Sequence, residues 1–229
     1  PPRSTLFPYT TLFRSRKKML KCQFIQKVLV VAVVFVGLVY SNATIVTTDF
    51  EDGTSQGWTI MDPTASAYAI VYQGNPGYAL MALDTMAGGS NPRIEAPVSY
   101  LGDLSGYDGI KWDEYIFYES NPDNRVRTSL VAILYGQDGT IYHTAVTEGL
   151  YEIWTERYVP FEAQYWVRNE ASGNASFEDV LSNVVNLQFN MECSWEYEEA
   201  MIDNITLVPE PLTVLLFGLG SLVLRKYKQ

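Results

Sequence analysis

The chain has 229 residues and a formal net charge of −10, but this charge is distributed unevenly. The first 43 residues carry seven bases and no acid and the last 21 carry three bases and one acid, so the 165 residues between them, enough for one domain, hold six bases and 25 acids. Their net charge of −19 repels a phosphate backbone, which argues against nucleic acid as a partner.

Residues 1–16 show neither helical nor strand periodicity. The run over 5–15 resembles the in-frame translation of a widely used sequencing adapter. We therefore interpret residues 1–16 as an adapter artefact and expect the natural chain to start at Met19. The alternative is a natural disordered extension.

Residues 17–43 have the three-part layout of a secretory signal peptide. Four lysines between positions 17 and 27 precede an uncharged, largely apolar run over 28–40, and Ser41-Asn42-Ala43 supplies small residues for cleavage. As a helix, the apolar run spans about 20 Å, less than the roughly 30 Å hydrocarbon core of a bilayer. We therefore predict a removed signal peptide over 17–43 and an exported protein.

Strand patterns dominate the middle region, 44–207. Over 185–191, apolar residues at odd positions alternate with Asn or Gln at even positions, which is typical of a half-buried strand. The segments 128–135 and 140–146 flank the turn sequence of 136–139 and predict a hairpin. Further strands are expected at 68–73, 78–84, 110–118, 152–161 and 201–208.

One short helix is predicted to begin at Ser176, because Ser176 and Asp179 have the spacing of a capping box. Many short strands with almost no helix predict an all-β fold, an antiparallel β-sandwich. The fold class over the whole chain is thus a sandwich with one short helix, plus an N-terminal signal helix and a C-terminal hydrophobic helix.

Three groups of residues in the middle region carry a resemblance to a known family. The segment 49–53 precedes Gly57-Trp58, the segment 96–97 precedes 101–104, and 177–187 leads to a closing strand over 201–207. In order and spacing these groups resemble the laminin type IV (laminin B) domain and the galactose-binding-like jelly rolls, which include many carbohydrate-binding modules. The resemblance implies a jelly-roll domain that binds carbohydrate or a partner protein.

The closing strand carries Asp203, which a period of two places on one face with Ile205 and Leu207. A carboxylate on an apolar face needs a partner or a cation. In the jelly rolls that these motifs resemble, the first and last strands lie together and share a structural Ca²⁺, and the matching residues are Glu51 and Asp203. The alternatives are that Asp203 accepts hydrogen bonds from backbone amides or pairs with an arginine such as Arg93.

All five tryptophans lie in the middle region, and Trp58 and Trp112 are expected in the core. Sugar rings pack on aromatic faces, so aromatic residues near loops or strand ends are candidates for ligand binding. The candidates are Trp154, Tyr165, Trp166 and Trp195. Core packing remains the alternative for each of them.

Catalysis is not expected. Cys193 is the only cysteine outside the signal segment, which excludes an internal disulfide and a multi-thiolate zinc site, and we expect a buried side chain there. The only histidine, His143, lacks an obvious catalytic partner. A glycoside hydrolase, which needs two facing carboxylates, is the one enzyme worth weighing; Asp113, Glu114 and Glu119 are its candidates.

The C-terminal segment, 208–229, begins with Pro209, Glu210 and Pro211, continues as an apolar run over 212–224 and ends with bases that include Arg225 and Lys226. This order resembles the bacterial PEP-CTERM sorting signal, which is also labelled an ice-binding-protein C-terminal domain. The resemblance implies an exosortase-type membrane protease as partner and a short transmembrane helix over 212–224. An ordinary membrane anchor is the alternative.

Together these patterns predict an exported, exosortase-sorted protein of the cell envelope or extracellular matrix, held at the membrane transiently or permanently. Its β-sandwich is predicted to bind carbohydrate or a partner protein without catalysis. A purely structural component of an exopolysaccharide matrix is the alternative, with a glycoside hydrolase less favoured.

Overall fold

The computed structural model describes residues 44–61, 66–84, 91–118, 128–193 and 198–210. In these ranges the chain forms an antiparallel β-sandwich with one short α-helix, which confirms the predicted fold class. The adapter segment 1–16, the signal segment 17–43 and the predicted helix over 212–224 lie outside the described residues. None of the helices within the described ranges is long and apolar enough to cross a membrane.

Within the described residues the secondary structure consists of twelve strands, the helix α1, Phe177–Leu181, and two short 3-10 turns, Val98–Tyr100 and Ala163–Tyr165. The strands are β1 (Val46–Thr48), β2 (Thr59–Ile60), β3 (Ser66–Gly74), β4 (Gly77–Asp84), β5 (Arg93–Glu95), β6 (Tyr107–Tyr118), β7 (Val131–Gly136), β8 (Ile141–Thr144), β9 (Thr155–Pro160), β10 (Trp166–Arg168), β11 (Val184–Asn190) and β12 (Glu198–Pro209). All strands expected from the sequence are present. The strands of two or three residues were not predicted, because a segment this short cannot display an alternation of apolar and polar residues.

The strands form two six-stranded sheets. Sheet A has the order β3-β4-β12-β6-β9, and β1 also pairs with β12. Sheet B has the order β10-β8-β7-β11-β5-β2. The first and last strands therefore lie together, as the resemblance implied.

One face of each sheet packs into a shared core. Trp112 on sheet A and Phe189 on sheet B meet edge to face, with ring centroids 5.0 Å apart. Trp58 packs against the same Phe189, and both tryptophans are only 2% exposed. The prediction that Trp58 and Trp112 belong to the core is confirmed, and Cys193 is buried as expected.

The hairpin and the helix that were predicted from the turn sequence at 136–139 and from the capping box at Ser176 are both present. Strands β7 and β8 pair in the predicted hairpin. At the start of α1, the Ser176 hydroxyl accepts from Asp179 N and the Asp179 carboxylate accepts from Ser176 N, so the capping box is complete. Phe177 and Leu181 bury the inner side of this helix in the core.

Two β-bulges change which side chains face the core. In β11, the register shifts between Val184 and Asn186, so Val184 is buried and Val185 is exposed, contrary to the simple alternation. In β12, the register shifts between Asp203 and Thr206. Each bulge adds one residue to its strand and reverses the alternation beyond that point.

Both ends of the described domain lie beside Gly106 and Tyr107. The Tyr107 hydroxyl donates to Thr44 O at 3.0 Å, and Glu210 N donates to Gly106 O at 3.4 Å. Of the predicted sorting motif, Pro209 ends β12 and Glu210 follows it. Pro211, Arg225 and Lys226 lie outside the described residues.

Candidate functional site

A row of side chains crosses the outer face of sheet B. Cross-strand partners point to the same face, and the register aligns six residues, one from each strand: Thr59, Glu95, Gln188, Ile133, His143 and Val167. Six strands give a row roughly 24 Å long. We call this row, with the adjacent pair Asn186 and Tyr135, the polar face.

Hydrogen bonds fix the centre of the polar face. Tyr135 Oη donates to Gln188 Oε1 at 2.8 Å. The amide groups of Asn186 and Gln188 both donate to Glu95 Oε2, at 2.8 and 3.4 Å. Because a carboxylate only accepts, Glu95 determines which way both amides point.

Two acceptors on the polar face have no donor among the described residues. Asn186 turns its NH₂ toward Glu95, so its buried Oδ1 has no partner. His143 Nδ1 lies 3.0 Å from Thr144 O, which only accepts, so Nε2 remains as an acceptor. The polar face is therefore suited to a ligand that donates many hydrogen bonds.

Apolar side chains lie between the polar ones. Ile133 is aligned with Gln188, and Tyr135 is half-buried beside it. Val167 is exposed at the β10 edge. Ile133 is only 7% exposed and Gln188 only 4%, so the accessible apolar surface comes mainly from Val167 and the ring of Tyr135. Hydrogen-bond acceptors beside apolar surface are the combination that small-molecule sites use to orient a ligand.

A second arrangement lies where the β3–β4 hairpin meets β12, and we call it the carboxylate corner. Asp203 is 0% exposed, and its two oxygens accept from Asn75 N and Asn204 N, both at 2.7 Å. Glu51 Oε1 accepts from Tyr78 N at 3.2 Å, on the same hairpin. Both predicted calcium ligands are therefore brought to one turn.

Glycine is required at this turn. Gly77 has a φ of +80°, and a side chain on it would overlap with the Glu51 carboxylate. The carboxylate can approach the backbone only because position 77 carries no Cβ.

The bulge in β12 corrects the predicted orientation of Asp203. Asp203 pairs with Asp113, whereas Leu207 pairs with the core residue Ile110 three positions earlier on β6. Asp203 therefore lies on the face opposite to Leu207 and Ile205. Burial raises the pKa of Asp203 to about 6 despite its backbone hydrogen bonds, and the charges of Asp113 and Glu51 add to the rise.

Two alternatives to a calcium ligand were considered for Asp203, namely hydrogen bonds from backbone amides and an ion pair with Arg93. The structure shows the hydrogen bonds. Backbone amides cap the carboxylate, and Arg93 lies on sheet B, where its Nε donates to Asn91. Asn204 Nδ2 links the corner together by donating to Asp113 Oδ2 at 2.8 Å and to Asn75 O at 2.6 Å.

The corner fits a hard cation in the type of its donors. Carboxylate, amide and backbone carbonyl oxygens converge there, and none of the ion pairs among the described residues involves Glu51, Asp113 or Asp203. In the described part of the chain, however, no group of three or more His, Cys, Asp or Glu is arranged to hold a metal ion. A cation here would need further ligands from backbone oxygens and water.

The predicted aromatic ligand-binding residues do not form one site. Trp154 is half-buried directly before β9, where it packs on Tyr115 of β6 with ring centroids 5.5 Å apart. Tyr165 is 43% exposed beside the β9 edge. Trp195 lies outside the described residues.

Trp166 requires a correction, because the structure places it in the core rather than on the surface. It is 4% exposed, stacks on Phe177 at 5.6 Å and donates from Nε1 to Pro160 O. Its position near a loop or strand end suggested exposure. The cross-strand partner, Thr144, is buried, and this fixes the ring on the inner face.

Two of the three carboxylates weighed for glycoside hydrolysis, Asp113 and Glu114, do not face each other. Asp113 and Glu114 are adjacent on β6, so their side chains point to opposite faces. Glu114 accepts from Arg157, Trp112 and Leu130 N. Glu119 lies outside the described residues.

Sequence reasoning missed most of the polar face. The 185–191 alternation placed Asn186 and Gln188 on the face opposite to the apolar residues, but they were not predicted to bind a ligand. Nothing in the sequence indicated that Glu95 and Tyr135 lie beside them, since that depends on which strands are neighbours.

Comparisons with known proteins show the fold. No protein-family model matches the chain, and no curated protein matches it. Among solved structures, the L4b domain of human laminin alpha-2 is similar at 17% identity and a TM-score of 0.53, over 73% of this chain and 97% of that one. CtCBM11, studied in solution, is similar at 16% identity and a TM-score of 0.50, over 74% and 98%.

The family 11 carbohydrate-binding module of a Clostridium thermocellum cellulosomal cellulase is similar at 18% identity and a TM-score of 0.48, over 74% and 97%. At these identities the likeness concerns the fold. The chain has the β-sandwich fold found in the laminin L4b domain and in CtCBM11.

Proposed function

We propose that the protein binds a polysaccharide or oligosaccharide on the polar face of sheet B, without catalysis. One observation carries this proposal: the hydrogen-bonded network of Glu95, Asn186, Gln188 and Tyr135 on a face directed away from the core. Such a network positions acceptors before a ligand arrives, which lowers the entropic cost of binding.

The chemistry of a sugar matches this face. Each sugar ring donates several hydroxyl hydrogens, and Glu95 Oε1 and His143 Nε2 can accept them. The C–H face of the ring packs on apolar surface such as the exposed Val167 and the half-buried ring of Tyr135. Because the row spans six strands, several rings can lie along it.

A glycan-array screen of the full chain in mild detergent, followed by calorimetric titration of the best oligosaccharide, tests the proposal. We expect Glu95→Ala to weaken binding about tenfold or more, because it removes a charged acceptor and releases both amides. The matched control is Glu178→Ala, an exposed acid on α1 away from the polar face, which should bind as the wild type does.

Two results would contradict carbohydrate binding at this face. The first is an array without hits, which would favour a partner protein. The second is a hit whose affinity is the same in Glu95→Ala and the wild type, with both proteins folded as judged by thermal unfolding.

A structural Ca²⁺ at the carboxylate corner is the second part of the proposal. Glu51 and Asp203 would supply carboxylate ligands, with remaining ligands from backbone oxygens and water. The buried Asp203, the proximity of three acids and the absence of ion pairs to them among the described residues support it. The ion would join the hairpin to β12 and offset the repulsion between these carboxylates.

Thermal unfolding of the full chain with Ca²⁺ or with a chelator measures this effect. At Ca²⁺ about 100-fold above Kd, mass action stabilises the fold by about 2.7 kcal/mol, or roughly 5–10 °C for a domain of this size. We expect Glu51→Gln to abolish the shift and Asp52→Asn, the adjacent exposed acid, to retain it. Equal shifts in both variants, or none in the wild type, would contradict the site.

Export and sorting complete the proposal. The segment 17–43 would direct export, and the tail 208–229 would engage an exosortase-type protease and place the protein in the envelope or matrix. The sequence patterns alone support this step. Fractionation that leaves the full-length chain in the cytoplasm would contradict it.

A further inference from the structure

A pocket of about 210 Å³ lies at the edge of the sandwich, outside both arrangements described above. Strand β9, the edge strand of sheet A, forms one wall together with Tyr165 from the 3-10 turn that follows it. The end of β8 and the residues directly after it, Ala145 and Thr147, form the other wall. Its lining includes Trp112, Thr144, Thr147, Arg157, Tyr158 and Tyr165. We call it the edge pocket.

The size of the edge pocket limits its occupant. Pockets that take a drug-sized molecule measure about 300–1,000 Å³. A volume of about 210 Å³ leaves room for one small ring. A polysaccharide strand could place only a terminal residue there.

The walls of the edge pocket are mixed in character. Trp112 at the inner end is buried, whereas Tyr158 and Tyr165 are each 43% exposed. Thr144 and Thr147 add hydroxyl groups. A sugar ring, with an apolar face and a polar edge, matches this lining better than an aliphatic chain does.

Arg157 is held in a fixed position toward the pocket. Its Nε donates to Glu114 Oε1 at 2.7 Å and its Nη2 to Glu148 O at 2.9 Å. Its Nη1 has no acceptor among the described residues, so it can donate to a ligand oxygen. A guanidinium already fixed by two bonds loses little freedom when it forms a third.

Charge around the pocket selects against an anionic ring. Glu114 already compensates the charge of Arg157. Tyr158 Oη donates to the Asp108 carboxylate, and burial together with the charges of Asp108 and Glu162 raises the pKa of Tyr158. Neither acid lines the pocket, but both act on the lining residue Tyr158, so we expect their negative charge to disfavour a uronic acid or sulfated sugar.

We infer that the edge pocket binds a single neutral hexose or pentose ring, free or at the end of a chain, as a second sugar site separate from the polar face. The inference rests on the proposed function only in the class of ligand. The two sites differ in residues, sheet edge and the length of glycan they accept.

Saturation-transfer NMR on the full chain in mild detergent tests this site. The probes are the methyl glycosides of glucose, galactose, mannose and xylose, with glucuronate as the anionic comparison. We expect at least one neutral glycoside to bind, glucuronate to bind at least fivefold more weakly, and Tyr165→Ala to weaken the neutral ligand at least fivefold. Tyr72→Ala, an exposed tyrosine on β3, is the matched control and should leave binding unchanged.

The polar-face variant Glu95→Ala separates the two proposals. Monosaccharide binding that survives Glu95→Ala but not Tyr165→Ala supports the edge pocket, whatever happens at the polar face. No monosaccharide binding, equal binding of glucuronate, or binding lost in Glu95→Ala and kept in Tyr165→Ala would overturn it. Oligosaccharide binding kept in all variants would overturn the polar face alone.

Discussion

Trp112→Ala is expected to destabilise the fold by about 3–5 kcal/mol, the usual range for removing a buried tryptophan. Trp112 is 2% exposed and joins the two sheets through Phe189. Its Nε1 also donates to Glu114 Oε2 at 3.2 Å, so the substitution deprives a buried carboxylate of a donor. Urea unfolding of the full chain in mild detergent, followed by circular dichroism, measures the loss.

Two further variants separate packing from hydrogen bonding at this position. Trp112→Phe keeps a ring against Phe189 but removes the indole donor, and it should cost about 1–3 kcal/mol. Trp154→Ala, the same change at a half-buried tryptophan on the outer face, should cost about 1 kcal/mol or less. Equal losses for Trp112→Ala and Trp154→Ala would mean that the core does not depend on the contact between the sheets.

Arg157→Ala is expected to cost about 3–5 kcal/mol at neutral pH, because it leaves a buried carboxylate without its cation. Glu114 is 1% exposed, and Arg157 Nε donates to it at 2.7 Å. The matched control is Lys111→Ala. Its ion pair with Glu156 is exposed to solvent, and its loss should cost about 0–1 kcal/mol.

The effect of Arg157→Ala depends on pH in a defined direction. Burial raises the pKa of Glu114 above its ordinary value, and Arg157 opposes this rise. A folded-state pKa above the unfolded value means that the carboxyl group destabilises the fold as pH rises through that interval. Without Arg157 the interval widens, so the loss should be larger at pH 7 than near pH 4, where the Glu114 carboxyl group is mostly protonated in both the folded and the unfolded state.

Adding Glu114→Gln to Arg157→Ala removes the buried charge and should recover a large part of the lost stability at pH 7. Urea titrations of the single and double variants at pH 4 and pH 7 measure both effects. A loss that is the same at the two pH values would show that Arg157 acts through packing rather than charge.

The sequence predicted the regular parts of this fold well. Alternation over long strands, the β7–β8 turn and the capping box at Ser176 each depend on local chemistry, and each appears as expected. The sandwich itself followed from many short strands with turn residues between them.

Bulges account for the errors in orientation. A period of two gives the correct face only while pairing is regular, and one extra residue reverses it. Val185 and Asp203 both lie next to such an insertion, and both were assigned to the wrong face. Asn204, at the β12 bulge, has a φ of +51°, a conformation that asparagine tolerates better than most residues but that does not by itself reveal a bulge.

The polar face and the edge pocket depend on which strands lie beside each other, and the sequence does not reveal this. The polar face needs β5 beside β11, and the edge pocket needs β9 near the end of β8. These pairings are set by the whole topology rather than by local patterns. Glu51 and Asp203 could be indicated because a family motif, rather than periodicity, connected them.

The position of the two ends beside Gly106 and Tyr107 has a mechanical consequence. Thr44 and Glu210 lie at the same end of the sandwich, so the described domain contributes little to the distance between its own two ends. A force that pulled these two ends apart would load the pairing of β1 with β12 at its terminal residues, Val46 and Leu207, and would separate these strands from that end.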